Sequence, residues 1–256
     1  MMKNWKENIL APLLFTLVLL VLWEIACRAF GLPTTVLPPP TLIAKAMVQY
    51  WPAIWENSLQ TLMTTLLGFA LAIVFGLVLG VGIGWSKMIY GALYPVMIAF
   101  NAIPKVAVVP ILIIWFGIGT IPAILTAFLI SFFPIVVNVA TGLATTEPEL
   151  QDVLRALGAS KLDVVMKVGI PRSMPYFFGS LKVAITLAFV GSVVSETIGA
   201  NSGLGQMMLA AQAGFNVELV FAGVMALAIL GIALYAITAL VERRFTSWAF
   251  RAEGIG

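Results

Sequence analysis

From Leu59 to Trp85 the chain runs without one charged residue. A helix needs about 20 mostly apolar residues to cross the hydrocarbon core of a bilayer. In lipid every backbone N–H and C=O has to be satisfied within the protein, so such a run has to be helical. Five more runs qualify: Ile9–Ala29, Leu93–Phe116, Ile121–Leu143, Phe178–Ile198 and Leu219–Val241. The sequence therefore predicts an all-α integral membrane protein with six transmembrane helices. Composition agrees, with 61% hydrophobic and 10% charged residues against about 25% charged in a soluble domain.

Loop charges set the orientation. With the N-terminus in the cytoplasm, one side collects Lys3, Lys6, Lys87, Arg155, Lys161, Lys167, Arg172, Lys182, Arg243, Arg244 and Arg251. The other side holds Arg28 and Lys45, while Lys105 falls within a span. Both termini are expected inside, and the localisation is a multi-pass membrane protein. The first run follows Lys3 and Lys6 as in a signal peptide, but no A-x-A-like site follows it. Residues 1–30 are expected to be a retained membrane helix.

Between the first two spans, residues 31–58 form an outer loop. Pro38, Pro39 and Pro40 open it stiffly, Leu42, Ala46 and Met47 follow helical spacing, and Tyr50, Trp51 and Trp55 suit the membrane interface. An interfacial helix is expected there. In the second span Gly68, Ala72, Gly76, Gly80 and Gly84 stand four residues apart. Such a small-residue stripe admits a close helix neighbour. The neighbour is either within the subunit or in a second copy.

Several chemistries are excluded. Cys27 is alone and histidine is absent, so there is no disulfide framework, and no metal site is expected. No G-x-x-x-x-G-K-[ST] occurs, so the chain has no P-loop of its own. The net charge of +3 lies in membrane-flanking loops, without the basic stripe of a nucleic-acid partner.

The cytoplasmic segment 144–177 interrupts this oily chain with helix punctuation. Thr146 and Glu149 have capping-box spacing, and Leu150, Val153, Leu154 and Leu157 form an apolar stripe. Gly158 suits a left-handed stop. Ser160 and Asp163 repeat the capping box, Leu162, Val165 and Met166 repeat the stripe, and Ile170-Pro171 ends it. Two short amphipathic helices joined at Gly158-Ala159 are expected. Helices this short need something to dock on: a soluble partner, or the inner ends of their own spans.

Polar groups inside spans are costly and often functional. Lys105 lies near mid-depth, between Asn101, Pro104 and Pro110, where a kink or unwound turn is expected. It either faces a pathway, attracting an anion, or pairs with Glu196. Glu196, Asn138, Ser131, Ser192 and Ser195 are further in-span polar residues. The serines are equally suited to bonding carbonyls of their own helix.

The loop resembles the cytoplasmic "EAA" loop of bacterial ABC importer permeases: E-A-A, three residues, Gly, nine residues, I-x-L-P. Asp152-Val153-Leu154 stand at E-A-A, Gly158 at the Gly, Val168 at the Ile and Ile170-Pro171 at the Leu-Pro. "LPPP" at Leu37–Pro40, "IWFGIG" at Ile114–Gly119, "FFPIVVN" at Phe132–Asn138 and "ETIGANSGLG" at Glu196–Gly205 are similar to the nitrate/sulfonate/taurine/bicarbonate permeases and to those for pyrimidine thiamine precursors. The resemblance implies a type I importer fold with a five-helix core over residues 59–245 and a cytoplasmic tail at 246–256. It implies two copies of an ABC ATPase that carry the ATP-Mg, a periplasmic or lipid-anchored binding protein, a second permease copy and surrounding lipid, with no cofactor on this chain. It implies that Asp152, Val153, Leu154, Arg155, Leu157, Gly158, Ala159 and Pro171 couple the loop to the ATPase. Lys105, Asn101, Asn138, Ser192, Ser195 and Glu196 would line the path. An ion-gradient transporter or channel is the competing reading, but no inverted repeat or relay of ionisable groups supports it. A membrane enzyme finds no carboxylate cluster to work with.

Overall fold

The computed structural model describes residues 3–145, 153, 154 and 156–246, with backbone alone at 3–9, 87 and 161. Asp152 and Arg155, with the capping box at Thr146 and Glu149, lie outside the described residues. Within them the chain is helical: α1 Lys3–Ala29, α2 Pro40–Gln49, α3 Trp51–Gly84, α4 Lys87–Ala102, α5 Val109–Phe116, α6 Thr120–Ala144, α7 Lys161–Val164, α8 Ile170–Gly199, α9 Leu204–Ala213 and α10 Val217–Phe245. Among the described residues five helical segments are long and apolar enough to cross a membrane alone. The pair α4 and α5, bent by 71° at its break, passes the same test when counted as one span, which makes six.

The small-residue stripe of α3 packs against α6 of the same chain. A Cβ built on Gly68 would stand 2.5 Å from Ala127 Cβ, on Gly76 2.7 Å from Ile135 Cγ2, on Gly80 2.7 Å from Val139 Cβ, and on Gly84 2.8 Å from Leu143 Cβ. Each pair is offset by the same 59 residues, so the two helices run parallel, with no drift in register. The same offset sets Ala72 beside Ser131, and both are fully buried. Lipid supplies no hydrophobic drive between helices, so close backbone contact of this kind has to hold them. The stripe is therefore an internal seam.

Helix α8 covers the other side of α6 antiparallel. Gly142 lies against Ser173 near the inner end and Gly191 against Ala127 towards the outer end. Ala72, Ile135, Val139, Leu143, Phe178, Leu181 and Ala184 form the resulting three-helix core. A second cluster lies at the outer ends, where Ile43 and Ala46 of α2 and Ile54 of α3 meet Leu204, Met207, Ala222 and Ala226 of α9 and α10. Helix α1 touches the rest at its outer end. Its Glu24 carboxylate accepts from Thr41 N at 3.1 Å, at the start of α2, and pairs with Arg28 at 2.6 Å.

Three features differ from the sequence reading, and a fourth, the broken third span, follows it. Trp51 and Trp55 belong to the first turns of α3, where their rings stack at 5.8 Å, because Trp51-Pro52 is a good helix start. The interfacial helix is thus only α2. The third span is two helices meeting at a sharp break. Ile170-Pro171 does not end a helix: α7 passes through a π-helical turn, Val165–Gly169, straight into α8. Pro171 follows that turn, so its missing N–H falls where the wider π turn already departs from regular helix bonding. Helix α9, between the last two spans, was not anticipated.

Candidate functional site

At the cytoplasmic end the described part of the loop folds as its punctuation requires. Gly158 has φ +84°, a left-handed conformation that favours glycine. Ala159 N donates to Leu154 O at 3.0 Å and Leu157 N to Val153 O at 3.1 Å, closing the preceding helix with a Schellman-type bond. Ser160 and Asp163 form a reciprocal capping box: Asp163 N donates to Ser160 Oγ at 3.1 Å and Ser160 N to Asp163 Oδ2 at 3.2 Å. Val153, Leu157, Leu162 and Met166 are 60%, 79%, 57% and 57% exposed, an apolar surface carried on two consecutive turns. Leu154 and Ala159 are half-buried. Beneath them Gly169 is buried against the Leu143 side chain at the inner end of α6.

Lys105 occupies the break between α4 and α5. Ile103 and Pro104 are extended, and a 3₁₀ turn, Lys105–Val108, leads into α5. In an unbroken helix the Lys105 N–H would bond the Asn101 carbonyl. Here the ammonium takes that place, donating to Asn101 O at 3.1 Å and to Asn101 Oδ1 at 2.8 Å. A cation at a helix C-terminus also meets the negative end of its dipole. The ammonium further lies 5.6 Å from the centre of the Phe133 ring. It does not pair with Glu196, so that alternative is corrected: the helix break turns the side chain back onto α4.

Glu196 sits elsewhere, 1% exposed. Thr61 Oγ1 donates to its Oε2 at 2.9 Å, as does Gly205 N at 3.0 Å, while Thr64 and Ser192 reach Oε1 at 3.4 Å. Gly203 N donates to Asn57 Oδ1 at 2.8 Å and Leu204 N to Thr61 Oγ1 at 2.9 Å. Three successive N–H groups at the start of α9 are thus received by side chains of α3 and α8. Gly203 has φ +111°, and any Cβ there would run into the Glu196 carboxyl. Thr65 and Ser195 are fully buried, their hydroxyls without a hydrogen-bond partner among the described residues. Asn138 donates back to Pro134 O at 2.8 Å and Ser131 to Ala127 O at 2.6 Å. In this structure Glu196, supported by Ser192, therefore clamps α9 to α3 and α8, and Ser195 is buried beside them. Of the path candidates, Asn101, at the break, is exposed, and Lys105 and Asn138 are half-buried. Asn57, Thr61 and Thr64 were missed, although their i, i+4, i+7 spacing marks one polar face on an otherwise apolar helix.

Residues 72–247 match the sequence pattern of the binding-protein-dependent transport system inner membrane component. The chain belongs to that family. It is 33% identical to the formylaminopyrimidine transport permease protein ThiX of Halalkalibacterium halodurans, over 93% of this chain and 96% of that one. It is 34% identical to the riboflavin transport system permease protein RibX of Chloroflexus aurantiacus, over 91% and 87%. Against the taurine transport system permease protein TauC of Escherichia coli the identity is 27% over 90% and 86%. A solved inward-facing structure of the MetNI methionine ABC transporter overlays with a TM-score of 0.65 at 21% identity, covering 78% of this chain and 97% of that one. That likeness bears on the fold. The protein is an ABC importer permease, embedded in the inner membrane by several spans.

Proposed function

We propose that this permease works as a pair of copies gripped by two separate ATPase subunits through the 146–171 loop, and that it passes a small nutrient handed over by a binding protein. The observation that carries the coupling role is the exposed apolar surface of Val153, Leu157, Leu162 and Met166, of which Leu162 and Met166 stand on a helical stretch that runs on from Lys161 to Gly199. Four exposed apolar side chains on two short, self-capped turns form a docking surface for a partner cleft. Asp152 and Arg155 supply the polar contacts around it, and Gly158-Ala159 supplies the turn. ATP-Mg binds the ATPase. Closure of the ATPases draws the loops together and tips the permease between two states, as a differential contact can.

The path is assigned to the break between α4 and α5, with Asn101 and Lys105 facing it. The ammonium keeps one N–H beyond its two bonds to Asn101, which suits an anionic or zwitterionic nutrient. Sulfonates, taurine and pyrimidine precursors are the range to test. The experiment is affinity purification of the tagged chain from membranes. A P-loop ATPase is expected to co-purify, and Leu157→Asp is expected to release it while thermal unfolding stays unchanged. A chain that purifies alone and without ATPase activity would overturn the proposal.

A further inference from the structure

Lys182 and Glu242 form a 2.7 Å ion pair between α8 and α10, with side chains 29% and 11% exposed. One helical turn on the N-terminal side of Lys182, Phe178 stacks flat on Phe245 of α10, centroids 5.3 Å apart and planes 3° apart. These contacts fasten the inner end of α10 to α8. Midway along, an open apolar groove of about 590 Å³ runs beside the contact, lined by Ile185, Phe189, Val224 and Tyr235 among others, and the Phe189 ring rests on Gly231, 3.1 Å from a Cβ built there. At its outer end α10 joins α2 and α9 through Ala222 and Ala226. Helix α10 is therefore held by an ion pair and a ring stack at its inner end, by apolar packing at its outer end, and by Phe189 on Gly231 between them. Its inner fastening lies on the helix that carries the cytoplasmic loop.

We propose that Lys182 and Glu242 are positioning residues for transport, forming the link through which displacement of α8 moves α10 and, with it, the outer cluster. A flat ring stack can slide, whereas a largely buried ion pair resists separation, because Glu242, 11% exposed, would be left buried without its partner. Midway, Phe189 resting on Gly231 gives contact without the directionality of an ion pair. The link rests on the coupling reading given above, which supplies the displacement of α8.

The test uses the permease purified with its co-purifying ATPase and returned to lipid vesicles. Cys27 is replaced by serine, and a single reporter thiol is placed at the exposed Arg244 (R244C). The labelling rate of that thiol by a maleimide is read without nucleotide and after MgATP with vanadate. The parent protein is expected to change its rate at least about threefold. K182M and the charge-free pair K182M/E242Q are expected to keep ATP hydrolysis within about twofold and to lose the labelling response. The swap K182E/E242K is expected to restore more than half of it. The double variants strand no charge, so they report even where K182M fails to fold. A full response in K182M/E242Q, or a folded swap without any response, would overturn the link. Absence of an ATPase from the parent preparation would overturn the coupling reading itself.

Discussion

The α3–α6 seam and the α8–α10 joint are both helix contacts in the same bundle, built in opposite ways. The seam has four glycines set directly on Ala127, Ile135, Val139 and Leu143. Its backbones approach closely along the whole stripe. The joint has an ion pair, a ring stack and a groove. Removing side chains gives rigid contact, since nothing is left to rearrange. A side-chain link holds only while both partners are present. The contrast sets the close-packed core of α3, α6 and α8 against α10, which is joined to it through side chains.

The comparison breaks first at the seam. Gly80→Leu is expected to abolish folded protein in membranes, because even its Cβ has no room, and overpacking by several carbons exceeds the usual ~1–3 kcal/mol. Gly82, two residues away, has nothing within 4 Å of a built Cβ. Gly82→Leu should leave expression and thermal unfolding as in the parent. Equal behaviour of the two variants would dissolve the seam. Next comes the clamp: Glu196→Ala removes the acceptor for Thr61 and Gly205 and should cost about 3 kcal/mol, the penalty of stranding buried partners. Its thermal midpoint should fall clearly, while Glu196→Gln falls less. At the joint, Lys182→Met should lower the midpoint by less than Glu196→Ala, since Lys182 is nearer solvent, and the swap with Glu242 should recover it. Smallest is Lys105→Met. Losing a cation at a helix C-terminus is worth about 0.3–1 kcal/mol, so unfolding barely moves while uptake of an anionic nutrient drops. A large unfolding change there would make Lys105 a structural cap and nothing more.

Much of the bundle was legible because lipid forces helices and apolar runs declare them. The stop at Gly158 and the capping box at Ser160 and Asp163 were legible because both are local, closed within a few residues. The partner of the glycine stripe was not. A stripe states how close a neighbour comes, while Ile135 and Val139 look like any other apolar residues in a span. Glu196 was seen as an in-span carboxylate, yet its partners Thr61 and Gly205 lie on either side of it in sequence, Thr61 135 residues away. Pro171 misled because a proline that ends a helix and a proline that follows a π turn look alike. The break at Pro104 was expected from its two prolines, but its 71° angle depends on packing.

The seam repeats every four residues, and so do the side chains facing it. A ruler with identical marks fixes spacing without fixing zero. Sliding α3 back by one mark, about 6 Å along the axis, would bring Gly76 to Ser131, Gly80 to Ile135 and Gly84 to Val139, still a glycine against a side chain at each step. What sets the zero is aperiodic: Thr61 and Thr64 on α3 meeting Glu196 and Ser192 on α8, while α8 is itself pinned to α6 by Gly191 against Ala127. The buried carboxylate is thus the mark that tells the two parallel helices which notch is theirs.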